Sequence, residues 1–272
     1  MRNSLLVNSR NLHVVWPGSS DVHFFCFHGF TGNPFDFRIL AEQDPHSFYS
    51  FHSISCPYHQ PCGSDLVDLD EWTDYIASVL LNLKDAKIVF IAYSMGGRYV
   101  LRMPASILRS VETVVLVGVT PGLEAKDERI KRIHSDRKWQ NILKDKGLSL
   151  FLEKWNAQPL IQSQKSIDPR FYSEILSNKL LLNPIGLTLS LKNFGSGAVS
   201  AISNLSLSNF VVPNILLFNG NLDSKFAKIM EHMSHNFYNS KRFEISDAGH
   251  ACHLENPSEF FKTLVKNLII AR

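Results

Sequence analysis

The 272-residue sequence contains no apolar run approaching the ~20 residues that a bilayer-spanning helix needs. Residues 1–10 also lack the apolar centre and small-residue cleavage site of a secretory leader. The expectation is therefore a soluble, cytoplasmic protein with no membrane contact. Only four cysteines occur, Cys26, Cys56, Cys62 and Cys252, and their spacing fits no metal-ligand pattern. Neither a metal nor a disulfide is expected, and the thiols read as reduced. Charge imbalance is slight: 28 Lys and Arg against 25 Asp and Glu leave +3. With no basic run to track phosphates, a nucleic-acid partner is excluded. Repeats and low-complexity stretches are missing too. What remains, 44% hydrophobic and 19% charged residues, is the composition of one globular domain with room for an insertion.

Chemistry enters at Ala92-Tyr-Ser-Met-Gly-Gly-Arg98, directly after the apolar run Lys87 to Ile91. A serine between small residues at a tight strand-to-helix turn is a nucleophile elbow, whose strained backbone lifts the hydroxyl clear of the sheet. Ala92 stands where a glycine is usual, and is small enough for strand and helix to approach. A serine hydroxyl is weak at neutral pH, so Ser94 requires a histidine held by a carboxylate, arriving in the order Ser, Asp, His. Asp223 follows the apolar run Asn214 to Asn219, and His250 follows Lys241 to Ser246. The plain alternative makes Asp223 a helix cap and His250 one of eleven scattered histidines; order and strand context favour the triad. Developing oxyanion or enolate charge near Ser94 needs backbone donors. The loop His28-Gly-Phe-Thr-Gly32, after the run His23 to Phe27, offers the Phe30 amide, and Met95 offers its partner. His28 is read as shaping this loop rather than as a second base.

Strand-like runs at Leu12 to Trp16, His23 to Phe27, Phe51 to Ser55, Lys87 to Ile91, Thr113 to Gly118, Asn214 to Asn219 and Lys241 to Ser246 alternate with helical stretches. The pattern implies an α/β fold with a mostly parallel, doubly wound sheet. From about Pro121 to Ser200 the strand signal vanishes and helical period takes over. Residues 1–119 and 201–272 are therefore expected to form the core, with 120–200 as an inserted helical cap.

Several strings then carry a resemblance: HGFTG, YSMGGR, TPGL, ERIKRIHSDRKW, FLEKWNAQP, GNLDSKF and AGHACHLENP, which together span nearly the whole chain. The sequence resembles the α/β-hydrolase fold, and within it the MenH family, the SHCHC synthases of menaquinone biosynthesis. The elbow and histidine strings are shared by many hydrolases, whereas the arginine after the elbow, SDRKW, EKWNAQP and DSKF are more specific. The resemblance implies a lyase without a cofactor. Its substrate is a small tricarboxylate, 2-succinyl-5-enolpyruvyl-6-hydroxy-3-cyclohexene-1-carboxylate, from which pyruvate is eliminated after proton abstraction. The triad would then work as a base relay, with the Phe30 and Met95 amides on the enolate.

Three carboxylates call for fixed cations, and guanidinium groups hold carboxylates through paired bonds. Arg98, one turn past Ser94, can face the pocket or serve as a surface arginine. Arg132 matches a substrate-binding arginine of the family, with Arg129 as its competitor. Trp155 matches a cap tryptophan that packs on the ligand, although a cap-core role is equally open. Tyr93 can reach substrate through its hydroxyl. Where the family usually has a third arginine this chain has Lys179, with Asn183 four residues on, which keeps charge but loses the bidentate fork. The relatives' proline-glycine-histidine-glycine loop is replaced by Cys56 to Ser64. Two other readings stay open: an esterase or carbon-carbon bond hydrolase using an acyl-enzyme, and a non-catalytic receptor on the same fold. A monomer or small homo-oligomer is expected.

Overall fold

The computed structural model describes residues 4–268. Eight strands form one sheet: β1 (Leu5–Asn8), β2 (His13–Trp16), β3 (Val22–Phe27), β4 (Ser50–Ile54), β5 (Lys87–Tyr93), β6 (Thr113–Val117), β7 (Asn214–Gly220) and β8 (Ser240–Ile245). Their spatial order is β1-β2-β4-β3-β5-β6-β7-β8. From β4 to β8 all neighbours run parallel, while β1–β2 and β2–β4 are antiparallel. The doubly wound reading thus holds for the sheet's centre. The first predicted strand pairs antiparallel instead, and the edge strand β1 was not anticipated.

Helices connect and flank the strands. α1 (Arg38–Ala41) precedes β4, α2 (Leu69–Leu81) precedes β5, and α3 (Met95–Val100) and α4 (Ala105–Leu108) lie between β5 and β6. Between β6 and β7 come α5 (Lys126–Asn156), α6 (Pro159–Gln162), α7 (Pro169–Lys179), α8 (Pro184–Phe194) and α9 (Asn204–Ser208). After β7 come α10 (Ser224–Asn236), α11 (Cys252–Glu255) and α12 (Pro257–Asn267). α5 is broken at Gly147, where φ is 80°. Asp168, Asn183 and Asn256 each accept a backbone N–H at a helix start, immediately before a proline whose fixed φ and missing donor suit the first turn.

The central strands VHFFCF, KIVFIAY, TVVLV and NILLFNG are buried almost throughout, as strands covered on both faces must be. Alternate residues supply two core layers. Phe25, Phe27, Phe90, Leu116 and Leu217 pack with Trp72, Ile76, Tyr99 and Met230 on one face. Phe24, Cys26, Ile91, Val117 and Phe218 pack with Phe37, Leu40, Phe260 and Leu264 on the other. The inserted helices have their own small cluster around Leu143, Phe151, Trp155 and Leu187. Arg102 fastens both ends of this insertion, donating to the carbonyls of Pro121 (3.1 Å) and Ser200 (2.6 Å). The register pairs Phe27 with Ala92, Tyr93 with Val117, Val117 with Phe218 and Gly220 with Ile245. The loops after β3, β5, β7 and β8 consequently emerge along a single edge, the carboxyl end where open parallel sheets place their sites.

Candidate active site

Ser94 occupies the turn between β5 and α3 with φ 49° and ψ −108°, a strained conformation for a non-glycine residue. Its amide donates to the Val117 carbonyl at 2.9 Å, which anchors the turn to β6. The small residue at position 96 is a steric requirement: a Cβ there would stand 2.4 Å from the Phe27 carbonyl oxygen. Ser94 Oγ lies 3.1 Å from His250 Nε2, and His250 Nδ1 donates to Asp223 Oδ2 at 2.9 Å. The second oxygen of Asp223 accepts the Phe226 amide at 3.1 Å, so this carboxylate is both a helix cap and the partner of the histidine. The two readings of Asp223 are not exclusive. Glu255 fixes the histidine loop by accepting the amides of Gly249 (2.6 Å) and Ala251 (3.0 Å) on either side of His250.

Phe30 and Met95 both line the cavity above Ser94. Met95 is the first residue of α3, where helix geometry leaves the N–H without an intrahelical acceptor. The loop 28–32 lies hard against the elbow, since a Cβ on Gly29 would sit 3.3 Å from Ser94 Cβ. His28 is consumed in holding that loop. Its Nδ1 donates to Gly29 O at 2.8 Å and its Nε2 accepts the Cys56 amide at 2.9 Å. Burial, with His59 adding to it, lowers the His28 pKa to about 3 and keeps the ring neutral.

The cavity, about 170 Å³, is lined by Ser94 and His250 and also by Tyr93, Arg98, Arg132, Trp155 and Lys179, while Asp223 lies behind His250, outside the lining. Arg98 is buried; its Nε donates to Phe194 O at 2.9 Å, and burial next to Arg132 brings its pKa down to about 10. Arg132 pairs with Asp136 at 2.9 Å, and burial raises the pKa of that carboxyl despite the arginine. Arg129, the competitor, donates to Gly197 O at 3.3 Å and is not among the lining residues. Trp155 packs on Phe30, Trp139 and Phe151 in the core of the inserted helices and also contributes to the cavity wall. The Tyr93 hydroxyl accepts from Gln164 at 3.5 Å. Lys179 donates to Asn156 at 3.1 Å. Asn183 caps α8 and does not line the cavity.

Sequence reasoning passed over Asp36, Gln164, Lys225 and His253, all of which line the same wall. Lys225 stood in a quoted string, GNLDSKF, two residues past Asp223. His253 stood in another, AGHACHLENP, three residues past His250. Asp36 and Gln164 sit in segments with no motif and come to the cavity only through tertiary packing. The replacement loop 56–64 braces the α7–α8 junction: Cys62 donates to Leu181 O at 2.7 Å, and Asn183 donates to Gln60 O at 3.2 Å. All four cysteines are free, three of them buried. No group of three or more metal-ligating side chains occurs among the described residues.

Residues 24–263 match the model of the alpha/beta hydrolase family. A Bacillus subtilis protein assigned the name 2-succinyl-6-hydroxy-2,4-cyclohexadiene-1-carboxylate synthase is 33% identical, over 87% of this chain and 86% of its own length. The chain belongs to the MenH family of α/β hydrolases. An Escherichia coli synthase of the same name is 26% identical over 89% of this chain and 91% of its own. The solved structure of MenH from S. aureus superposes with a TM-score of 0.81 at 25% identity, covering 93% of this chain and 96% of that one. An Exiguobacterium antarcticum esterase shares the fold, with TM-score 0.68 at 17% identity over 98% of both chains. Among the described residues no helix is long and apolar enough to cross a membrane.

Proposed function

We propose that this MenH-family chain is a carbon-oxygen lyase that eliminates pyruvate from 2-succinyl-5-enolpyruvyl-6-hydroxy-3-cyclohexene-1-carboxylate. The observation that carries the reading is a serine-histidine-aspartate chain at a cavity that also holds Arg98, Arg132 and Lys179. A simple ester has no use for three cations there; a tricarboxylate does.

In this reading Ser94, held by His250, takes the acidic proton next to the succinyl ketone, and the proton passes to His250. Asp223 stabilises the resulting imidazolium and fixes the ring's tautomer. The C–H electrons move onto the ketone oxygen, where the Phe30 and Met95 amides hold the enolate. When the enolate collapses and the ketone re-forms, a C2=C3 double bond forms, the existing C3=C4 double bond shifts to C4=C5, and the C5–O bond to the enolpyruvyl group breaks. The expelled enolpyruvate takes up a proton and becomes pyruvate, leaving the conjugated diene. No bond to Ser94 forms at any stage, and no cofactor is required. Arg98, Arg132 and Lys179 bind carboxylates, Trp155 packs on the ring, and Tyr93 bonds through its hydroxyl.

Residues 120–200 act in this scheme as a cap that keeps water from the enolate. Three buried, unpaired thiols suit a reducing compartment and support a cytoplasmic reading. The protein is read as a monomer or small homo-oligomer. The competing chemistry is hydrolysis through an acyl-enzyme on the same residues. Intact-mass analysis of rapidly quenched turnover separates them: the lyase shows unmodified protein alongside pyruvate, whereas an adduct on Ser94 with no pyruvate establishes the hydrolase.

A further inference from the structure

One cluster in the cavity has no part in the proton relay. Asp36 lies in a short 3-10 turn, Pro34–Phe37, just after the loop that holds Phe30. Its Oδ2 accepts the Asn33 amide at 2.9 Å, completing a reciprocal cap in which the Asn33 side chain accepts from Phe35. That cap accounts for one carboxylate oxygen. The other, Oδ1, has no partner among the described residues, although the residue is only 9% exposed and lines the cavity. A buried acceptor without a donor is costly, more so when charged, so a ligand donor is the natural complement.

Lys179 shares this part of the wall, and one of its three hydrogens goes to Asn156. The two charges act on each other. Burial pushes Asp36 up to about 7 and Lys179 down to about 8, with each opposing the other's shift. Arg98 and Arg132 form a separate group around Asp136.

We propose that Asp36 and Lys179 form a subsite for a β-hydroxy acid, in which Asp36 Oδ1 accepts a ligand hydroxyl while Lys179 holds the adjacent carboxylate. Asp36 is then a specificity-determining residue. The proposal rests on the functional reading above and deepens it. In a ring substituted 6-hydroxy and 1-carboxylate, as the relatives' name specifies, hydroxyl and carboxylate stand on neighbouring carbons. A lone lysine would accept any carboxylate, and a lone aspartate would repel them all. The pair prefers an acid that brings a donor, because an unhydroxylated ligand still meets Lys179 but leaves Oδ1 buried and unpaired.

The test is calorimetric titration of the native protein and Asp36→Asn with two ligands. One is the hydroxylated diene product, and the other is 2-succinylbenzoate, its dehydrated aromatic counterpart. Asparagine keeps an acceptor for the Asn33 amide but presents N–H where Oδ1 stood. Asp36→Asn is expected to weaken product binding by about tenfold or more while moving 2-succinylbenzoate less than about twofold. The KM for pyruvate release should rise with kcat little changed. Lys179→Gln should weaken both ligands, since both carry the carboxylate. Equal losses on both ligands for Asp36→Asn, or no loss, overturn the subsite. If Asp36→Asn does not fold, two other measurements decide: native protein that binds 2-succinylbenzoate as tightly as the product, or Lys179→Gln binding both ligands normally, overturns it as well. Native protein that releases no pyruvate and binds neither ligand defeats the functional reading itself, and the subsite falls with it.

Discussion

Arg98 donates its Nε hydrogen to the carbonyl oxygen of Phe194 at 2.9 Å, joining α3, the helix that follows Ser94, to the final residue of α8. The acceptor is one of the carbonyls that a helix C-terminus leaves without an intrahelical donor. One edge of the guanidinium is thereby fixed, and the group lines the cavity one turn from the elbow.

This double use separates two substitutions. Arg98→Ala should raise KM for the tricarboxylate by about 10- to 100-fold, the equivalent of one charge-assisted contact, and should lower Tm because Phe194 O loses its donor. Arg98→Lys should recover most of the Tm but little of the KM, since an ammonium cannot serve both partners. Steady-state pyruvate assays and thermal melts read the two effects independently.

Arg132 and Asp136 should behave as a coupled pair. Removing the arginine leaves a buried carboxylate without its partner, at a cost of about 3 kcal/mol in comparable buried pairs. Because Arg132 is about a third exposed, with 35% of its side chain accessible, the loss should fall below that figure. Arg132→Ala combined with Asp136→Asn should restore the Tm but not the KM. A double variant as unstable as Arg132→Ala alone would contradict this.

Gly118, at φ +56°, lies behind the histidine, and a Cβ there would stand 2.8 Å from His250 Cε1. Gly118→Ala should therefore displace the ring from Ser94 and reduce kcat by about 10²-fold, the usual penalty for a misplacement near 1 Å. Binding of the product should be nearly unchanged. A kcat within twofold of native would show that the ring position is not critical.

Acid should destabilise the fold. Burial lowers His28, His52 and His253 to about 3, and His13 and His59 to about 4, from 6.5. Their folded pKa values lie below the unfolded ones. Stability from keeping them neutral is complete above pH ~6.5 and is lost as pH falls toward ~3, by at most ~1.4 kcal/mol per unit per histidine. Asp36 runs the other way: its folded pKa of about 7 exceeds 3.8, so protonation favours the native state between those values. Asp136, which burial also raises, acts in the same direction. Five histidines against two carboxyls give a net decline, and urea midpoints measured from pH 7 to pH 5 should fall steadily.

Much of the site was legible in the sequence because each part is local. Ser94 stands in a short string after an apolar run, and Asp223 and His250 each follow their own strand. Apolar runs also gave the central strands, buried on both faces, to within a residue or two. Three features were not legible. β1 is a four-residue edge strand whose three leading residues are exposed, so its pattern resembles no buried strand. The antiparallel pairing of β2 depends on partners far along the chain. Asp36 stands in no motif, and only its approach to Lys179, far along the chain, gives it chemical meaning. That Arg132 and not Arg129 lines the cavity likewise depends on which face of α5 meets it.

The most direct measurement is the rate of pyruvate release from the succinyl-enolpyruvyl-hydroxycyclohexene carboxylate by native protein and by Ser94→Ala. Lyase chemistry through Ser94 predicts rapid release by the native enzyme and a loss of about 10³-fold or more in kcat for the variant, with product affinity retained. Release at the uncatalysed rate by both proteins, alongside brisk hydrolysis of a p-nitrophenyl ester by the native one, would contradict it.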